Sequence, residues 1–293
     1  MKKNVLIKGY AMVLLSALLY GCMPMITRYL YADGVNRETA VLLRNMLALP
    51  VLTMLCLRGG RNLKIPVKAL PVITLLAFLG CCITPLLLYG SYQRIATGTA
   101  TVFHFVYPAV VVLIGLVFLR KKINGVTLLA VILCVGGICL FYDPNEPLDL
   151  QGCALALASS VTFAGYVVLL SGFRYKELVG VKLNFYISAI CTVLMLSYCL
   201  ITDKLALPVT AMGWVWGVLL AVVINVGAVA LFQAGTVLIG GERASVLSAV
   251  EPLTGMILGA ILFQEKITPM SAVGAALVMV ACVLIAMPPK QKK

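Results

Sequence analysis

Charge is scarce in this chain of 293 residues. Asp, Glu, Lys and Arg together supply 11 % of positions, and His104 is the single histidine. A soluble domain carries about 25 % charged residues, because a folded surface in water needs polar side chains to cover it. With 62 % of residues hydrophobic and a mean hydropathy of +1.07, no water-facing fold of this size could bury its apolar surface. That excludes a soluble enzyme and a disordered chain. Aspartate is missing from every long apolar run, since Asp33, Asp143, Asp149 and Asp203 all lie between runs. No HExxH, GxSxG, Gly-rich phosphate loop or Walker motif is present, so the usual supports for hydrolytic or nucleotide-driven chemistry are missing. The ten cysteines include no CxxC pair and sit in apolar stretches, where Cys behaves as a small hydrophobe. No disulfide framework, metal site or cofactor is expected.

What is present is long apolar runs punctuated by cations. The formal net charge is +13, but Lys and Arg come in short clusters between the runs. Such clusters serve as topology signals rather than a phosphate-binding face, so nucleic acid is not an expected partner. Apolar runs of about 20 residues suit a hydrocarbon core about 30 Å thick. They fall near 9–31, 38–57, 68–91, 96–119, 124–141, 151–171, 182–201, 211–233, 241–263 and 269–287. The first run, following Lys2 and Lys3, mimics a signal peptide, and Leu19-Tyr20-Gly21-Cys22 mimics a lipoprotein cleavage box. The bulky Tyr20 and the continuation of the run to Tyr31 favour an uncleaved first helix. If the N-terminus is inside, seventeen cations fall in cytoplasmic segments and five on the other side, with Arg44 inside a span. The positive-inside rule then places both termini in the cytoplasm of a multi-pass protein of the cytoplasmic membrane.

An offset of 144 residues aligns 97–124 with 241–268, matching Ala100, Val106, Pro108, Gly115 and Lys122 to Ala244, Val250, Pro252, Gly259 and Lys266. Each half then holds five spans, an odd number, so the second half enters the membrane from the opposite side. The expected fold is all-α, with ten transmembrane helices in two inverted five-helix repeats, 1–143 and 150–293. Inverted halves with a midplane site between them are the architecture of many secondary transporters. A duplication that merely builds a stable bundle is the plainer reading.

The segments Glu242-Arg243-Ala244-Ser245, Val250-Glu251-Pro252 and Gln264-Glu265-Lys266-Ile267 resemble the second-repeat pattern of the EamA family in the drug/metabolite transporter superfamily. Thr99-Ala100-Thr101, Tyr107-Pro108 and Lys121-Lys122-Ile123 resemble the first repeat, with Tyr107 in place of Glu251 and Lys121 in place of Glu265. The resemblance covers nearly the whole chain. It implies movement of a small metabolite, often outward.

Apart from residues near span ends, the ionisable groups inside the spans are Arg44, His104 and Glu251. Such groups are costly in lipid and face the protein interior or water. Glu251 lies ten residues beyond Gly241, about 15 Å along a helix, near the midplane. It can exchange protons as a coupling group, pair with a cation, or simply fix packing beside Pro252. His104 can bond a substrate or a neighbouring carbonyl, and Arg44 can contact an anionic group or form a structural pair. Thr101, His104 and Tyr107 recur at three-residue steps, as do Ser245, Ser248 and Glu251, so each set follows one slowly turning helix face. These stripes suggest a shared cavity, although Ser and Thr also supply interhelical hydrogen bonds. Asn225 needs a partner in mid-span, and Tyr20, Met23, Phe163 and Tyr166 are candidate substrate walls or core. Gly255 and Gly259 form a GxxxG step that permits a homodimer or an internal crossing. The partners expected are a small-molecule substrate, lipid and protons. The rivals are a membrane enzyme, for which general acid–base groups are few, and a bundle without transport.

Overall fold

The structure, a computed structural model, describes residues 3–58, 63–95, 97–118, 120, 124–140, 149–263 and 268–286. Asp143, Glu146, Lys121 to Ile123, Gln264 to Ile267 and the C-terminal lysines lie outside them. Among the described residues every long regular element is helical. The first half contains α1 (Lys3–Tyr20), α2 (Met23–Ala32), α3 (Arg37–Met46), α4 (Ala48–Arg58), α5 (Leu70–Leu76), a π-helical segment (Ala77–Ile83), α6 (Thr84–Tyr92), α7 (Thr97–His104), α8 (Tyr107–Val117) and α9 (Gly125–Cys139). The second half contains α10 (Leu150–Ser171), α11 (Val181–Ile201), α12 (Ala211–Leu219), a second π segment (Leu220–Val229), α13 (Ala230–Ile239), α14 (Gly241–Leu247), α15 (Val250–Phe263) and α16 (Pro269–Ala286).

Seven continuous or jointed stretches are long and apolar enough to cross a membrane, namely α1–α2, α3–α4, α5–α6, α7–α8, α10, α11 and α12–α13. α9 and α16 are apolar but shorter. The run expected near 241–263 is, like those near 9–31 and 96–119, two helices in series, here meeting at Ser248 and Ala249. Side chains such as Val193, Leu200, Ile201 and Ile261 are left exposed on the outside of the bundle. Such a belt is tenable in hydrocarbon and costly in water.

The joints have a common cause. Proline lacks a backbone N–H and clashes with the preceding turn, so it is tolerated only in the first turn of a helix. Pro24, Pro85 and Pro108 each stand in the first turn of a new segment, and Pro252 is the third residue of α15. Pro85 follows directly on the first π segment, so the span bends there without ending.

Helix pairing repeats at an offset of about 144 residues. α1 packs on α13 as α10 packs on α6, and α1 meets α14 and α15 as α10 meets α7 and α8. The two remaining major pairs, α3 with α11 and α9 with α16, join elements that correspond under the same offset. Small residues permit the closest crossings. A Cβ built on Gly137 would lie 2.7 Å from the Gly274 carbonyl, which fixes α9 against α16. One built on Gly21 would lie 2.4 Å from Thr254 Cβ, so the α1–α2 joint sits directly against α15. Gly255 faces the Gly21 carbonyl across the same crossing, at 3.8 Å from its built Cβ. The GxxxG face is therefore occupied within the chain at that position.

Candidate functional site

The joints of both halves converge on one central cavity. Its lining includes Tyr20 and Met23 at the α1–α2 joint, Arg44 from α3, Gly80, Thr84 and Pro85 around the first π segment, and His104 and Tyr107 at the α7–α8 joint. Phe163, Phe232, Ser248 and Glu251 close it from the second half. The cavity holds about 40 Å³, room for a few water molecules. A metabolite would need the walls to move apart.

His104 is the last residue of α7 and is buried. Its Nδ1 lies 2.8 Å from Ser159 Oγ, and that hydroxyl donates to the Ala156 carbonyl at 2.6 Å. A serine has one hydroxyl proton, so with it committed to Ala156 the imidazole Nδ1–H must be the donor to Ser159. In the neutral ring this tautomer leaves Nε2 as a bare acceptor. Rings enclose the imidazole: Tyr107 and Phe163 lie with centroids 5.6 and 5.4 Å away. Phe163 in turn meets Tyr107 edge-on at 4.8 Å and stacks on Phe232 at 5.6 Å.

Arg44 projects from the buried face of α3, a helix capped by the Asn36 side chain, which accepts from the Thr39 amide. Its guanidinium donates to the Tyr89 hydroxyl at 3.4 Å and lies within hydrogen-bonding reach of the Cys81 thiol. Nε has no partner, and among the described residues no carboxylate is within ion-pair distance of this cation. Glu251 is the second residue of α15, partly accessible from the cavity. No hydrogen bond or ion pair reaches its carboxylate among the described residues. Tyr20, Tyr92 and Tyr107 lie within electrostatic range of it. Tyr107, in the matching place of the first half, donates to the Ser245 carbonyl at 3.2 Å and so ties α8 to α14.

The cavity thus brings together Tyr20, Met23, Arg44, His104, Tyr107, Phe163, Ser248 and Glu251 among the residues singled out from the sequence. It does not bring in Asn225 or Tyr166. Asn225 Nδ2 donates to Ser188 Oγ at 2.9 Å and Asn45 Oδ1 at 3.3 Å, so its NH2 group joins α3 and α11 to the second π segment, while its buried Oδ1 has no partner among the described residues. Tyr166 stands behind the wall, stacked on Phe163 at 5.7 Å. A Cβ on Gly80 would lie 2.4 Å from its ring. Gly80, Leu88 and Phe232 line the cavity without having signalled it, because an apolar residue in an apolar helix carries no distinguishing mark. Thr84, beside the in-span Pro85, had such a mark: its hydroxyl bonds the Leu79 carbonyl and Thr162 Oγ1 at 2.6 and 2.7 Å. No cluster of His, Cys, Asp and Glu suited to a metal occurs among the described residues.

The model of the EamA-like transporter family matches residues 7–142 and again 150–287. The chain belongs to this family. An uncharacterized transporter of Bacillus subtilis, YwfM, is 26 % identical over 242 residues, covering 80 % of this chain and 79 % of the relative. An uncharacterized transporter of Archaeoglobus fulgidus is 26 % identical over 283 residues, covering 95 % of this chain and 96 % of its own. One crystal structure superposes with a TM-score of 0.76 at 15 % identity, covering 97 % of this chain and 96 % of the other, a likeness of fold. As an EamA-family protein the chain is a multi-pass membrane transporter, whose partners are the lipid bilayer and a small-molecule substrate.

Proposed function

We propose that this EamA-family protein is a secondary transporter for a small amphiphilic metabolite, an amino acid or an amine, moved outward across the cytoplasmic membrane by alternating access. The moving parts are residues 1–143 and 150–293, two inverted halves of five helices with both termini in the cytoplasm. The pairing of α1 with α13 and of α10 with α6 supports this arrangement, as do joints and π segments at matching positions in each half.

The observation that carries the reading is the charge pattern of the central cavity. Arg44 and Glu251 line the same space, yet no ion pair joins them. An unpaired charge inside a membrane protein is costly unless water, a proton or a ligand compensates it. A solute carrying an ammonium group would meet Glu251, and a carboxylate would meet Arg44 and the neighbouring donors. Aromatic walls from Tyr107, Phe163 and Phe232 suit the apolar remainder. Glu251 also supplies a site for a coupling proton, and His104 presents its Nε2 as a further acceptor.

The test is uptake and counterflow of a panel of amino acids and amines in proteoliposomes, with a pH gradient imposed or removed. At least one amphiphilic member should exchange, and a gradient-dependent rate would mark proton coupling. Silence across the panel, with folded and correctly inserted protein, would remove the substrate reading. A turnover-linked covalent product would point to an enzyme instead.

A further inference from the structure

A second and larger cavity opens on the outside of the bundle, away from the central site. It holds about 670 Å³ between α1, α13 with the preceding π segment, and the connection that leads into α11. Val5, Lys8 and Met12 contribute one face of α1, and Val226, Ala230, Ala234 and Leu238 mark one face of the facing helix. These two walls run antiparallel, since Gly9 meets Gly235 and Ile239 while Ser16 bonds the Ala228 carbonyl. From Val226 to Leu238 the wall extends about 18 Å. One leaflet of a hydrocarbon core about 30 Å thick measures about 15 Å, so the trough follows a leaflet through its depth.

The two ends of this trough differ in chemistry. Its inner wall is apolar and small, with Gly227, Ala230 and Ala234 setting its depth. Its mouth carries Lys8, near the start of α1, and Lys176, in the short connection between α10 and α11. Both ammonium groups are exposed. No hydrogen bond or ion pair engages either ammonium group among the described residues. No carboxylate lines the groove among those residues either. Cations at the interface above an apolar channel complement a headgroup with net negative charge and its acyl chain.

We propose that this groove is a binding site for an anionic phospholipid of the leaflet that faces the N-terminus. The phosphodiester sits between Lys8 and Lys176, and an acyl chain lies along Met12, Ala230 and Ala234. The lipid fills the gap between α1 and the entry of α11, and so holds together elements from the two halves. This assignment does not depend on what the central cavity carries.

Purified full-length protein in detergent, exposed to phosphatidylglycerol or phosphatidylcholine, tests it by native mass spectrometry and thermal unfolding. Phosphatidylglycerol should be retained and should raise the melting temperature, and phosphatidylcholine should do so much less. Lys8→Ala and Lys176→Ala should each weaken retention about fivefold, and together about thirtyfold. Lys8→Arg should keep it. Ala234→Phe, which leaves the charge alone but fills the trough, should also expel the lipid if the chain occupies it. The Ala and Arg variants change exposed side chains, so a monodisperse elution profile is expected for each and serves as the folding control. Equal retention of the two lipids, or retention unchanged in the double lysine variant, would overturn the proposal. So would inorganic phosphate alone giving the same stabilisation, because the acyl channel would then have no part.

Discussion

Hydrogen-bond direction at His104 follows from its neighbour rather than from the ring itself. Because Ser159 gives its proton to Ala156, the imidazole is held as the Nδ1–H tautomer, and Nε2 is left to accept. Ser159→Ala should release the ring and weaken substrate binding about fivefold, the scale of one net hydrogen bond. The effect should be in KM more than in kcat, read from concentration-dependent uptake. Outside the membrane, Asp33 accepts from the Thr210 hydroxyl at 2.6 Å and from the amides of Val209 and Thr210, which staples α2 to the start of α12. These bonds, the Thr210 hydroxyl first, hold its carboxyl below the usual aspartate range. A lowered folded-state pKa means that the staple contributes fully above about pH 4 and is lost as pH falls through the lowered value. Asp33→Ala should therefore lower the melting temperature by a few degrees at pH 7, and the gap from wild type should close in strong acid. At this scale the sequence was informative wherever a polar residue interrupted apolar surroundings, as at Arg44, His104 and Glu251. It was ambiguous at Asn225, because a mid-span amide needs a partner whether that partner is a substrate or Ser188.

At the scale of elements, the joints govern where the cavity lies. Two π segments, Ala77–Ile83 and Leu220–Val229, interrupt the third span of each half at corresponding positions. π geometry replaces i→i−4 bonds with wider i→i−5 ones and is frequent at functional sites. Backbone amides in these two segments should exchange hydrogen faster than those of α10 and α11, measured by mass spectrometry on the protein in nanodiscs. Gly80 sits inside the first of them and leaves room for the Tyr166 ring. Gly80→Ala should cost about 1–3 kcal/mol, the range for overpacking a core, seen as a lowered thermal midpoint. Proline is a local mark of several joints, since Pro24, Pro85, Pro108 and Pro252 each stand in the first turn of a segment. The π segments left no such trace, because an extra residue per turn changes backbone bonding without a dedicated side chain. The span expected over 124–141 is likewise longer than its helix, Gly125–Cys139. Apolar composition continues past the point where the described helix ends at Cys139.

For the whole molecule, apolar composition identified the solvent and the 144-residue offset pointed to the architecture. Tyr107 and Glu251 are 144 residues apart, and each stands just after a joint, one in either half. That placement was legible from the repeat. What closes the space between them was not, because Phe232 and Gly80 become cavity walls only through long-range packing. The cavity of about 40 Å³ is too small for a metabolite, and the proposed alternating access accounts for this by having the two halves rock apart. Glu251 lines that cavity beside the α14–α15 joint.

The most direct test is counterflow of the transported solute in proteoliposomes holding matched amounts of wild-type and Glu251→Gln protein, measured across a pH series. The amide keeps the shape of the side chain and removes its charge and exchangeable proton. At least a tenfold loss of rate, or loss of the wild-type pH dependence, is expected. An unchanged rate together with an unchanged pH profile would contradict a central site that works through Glu251.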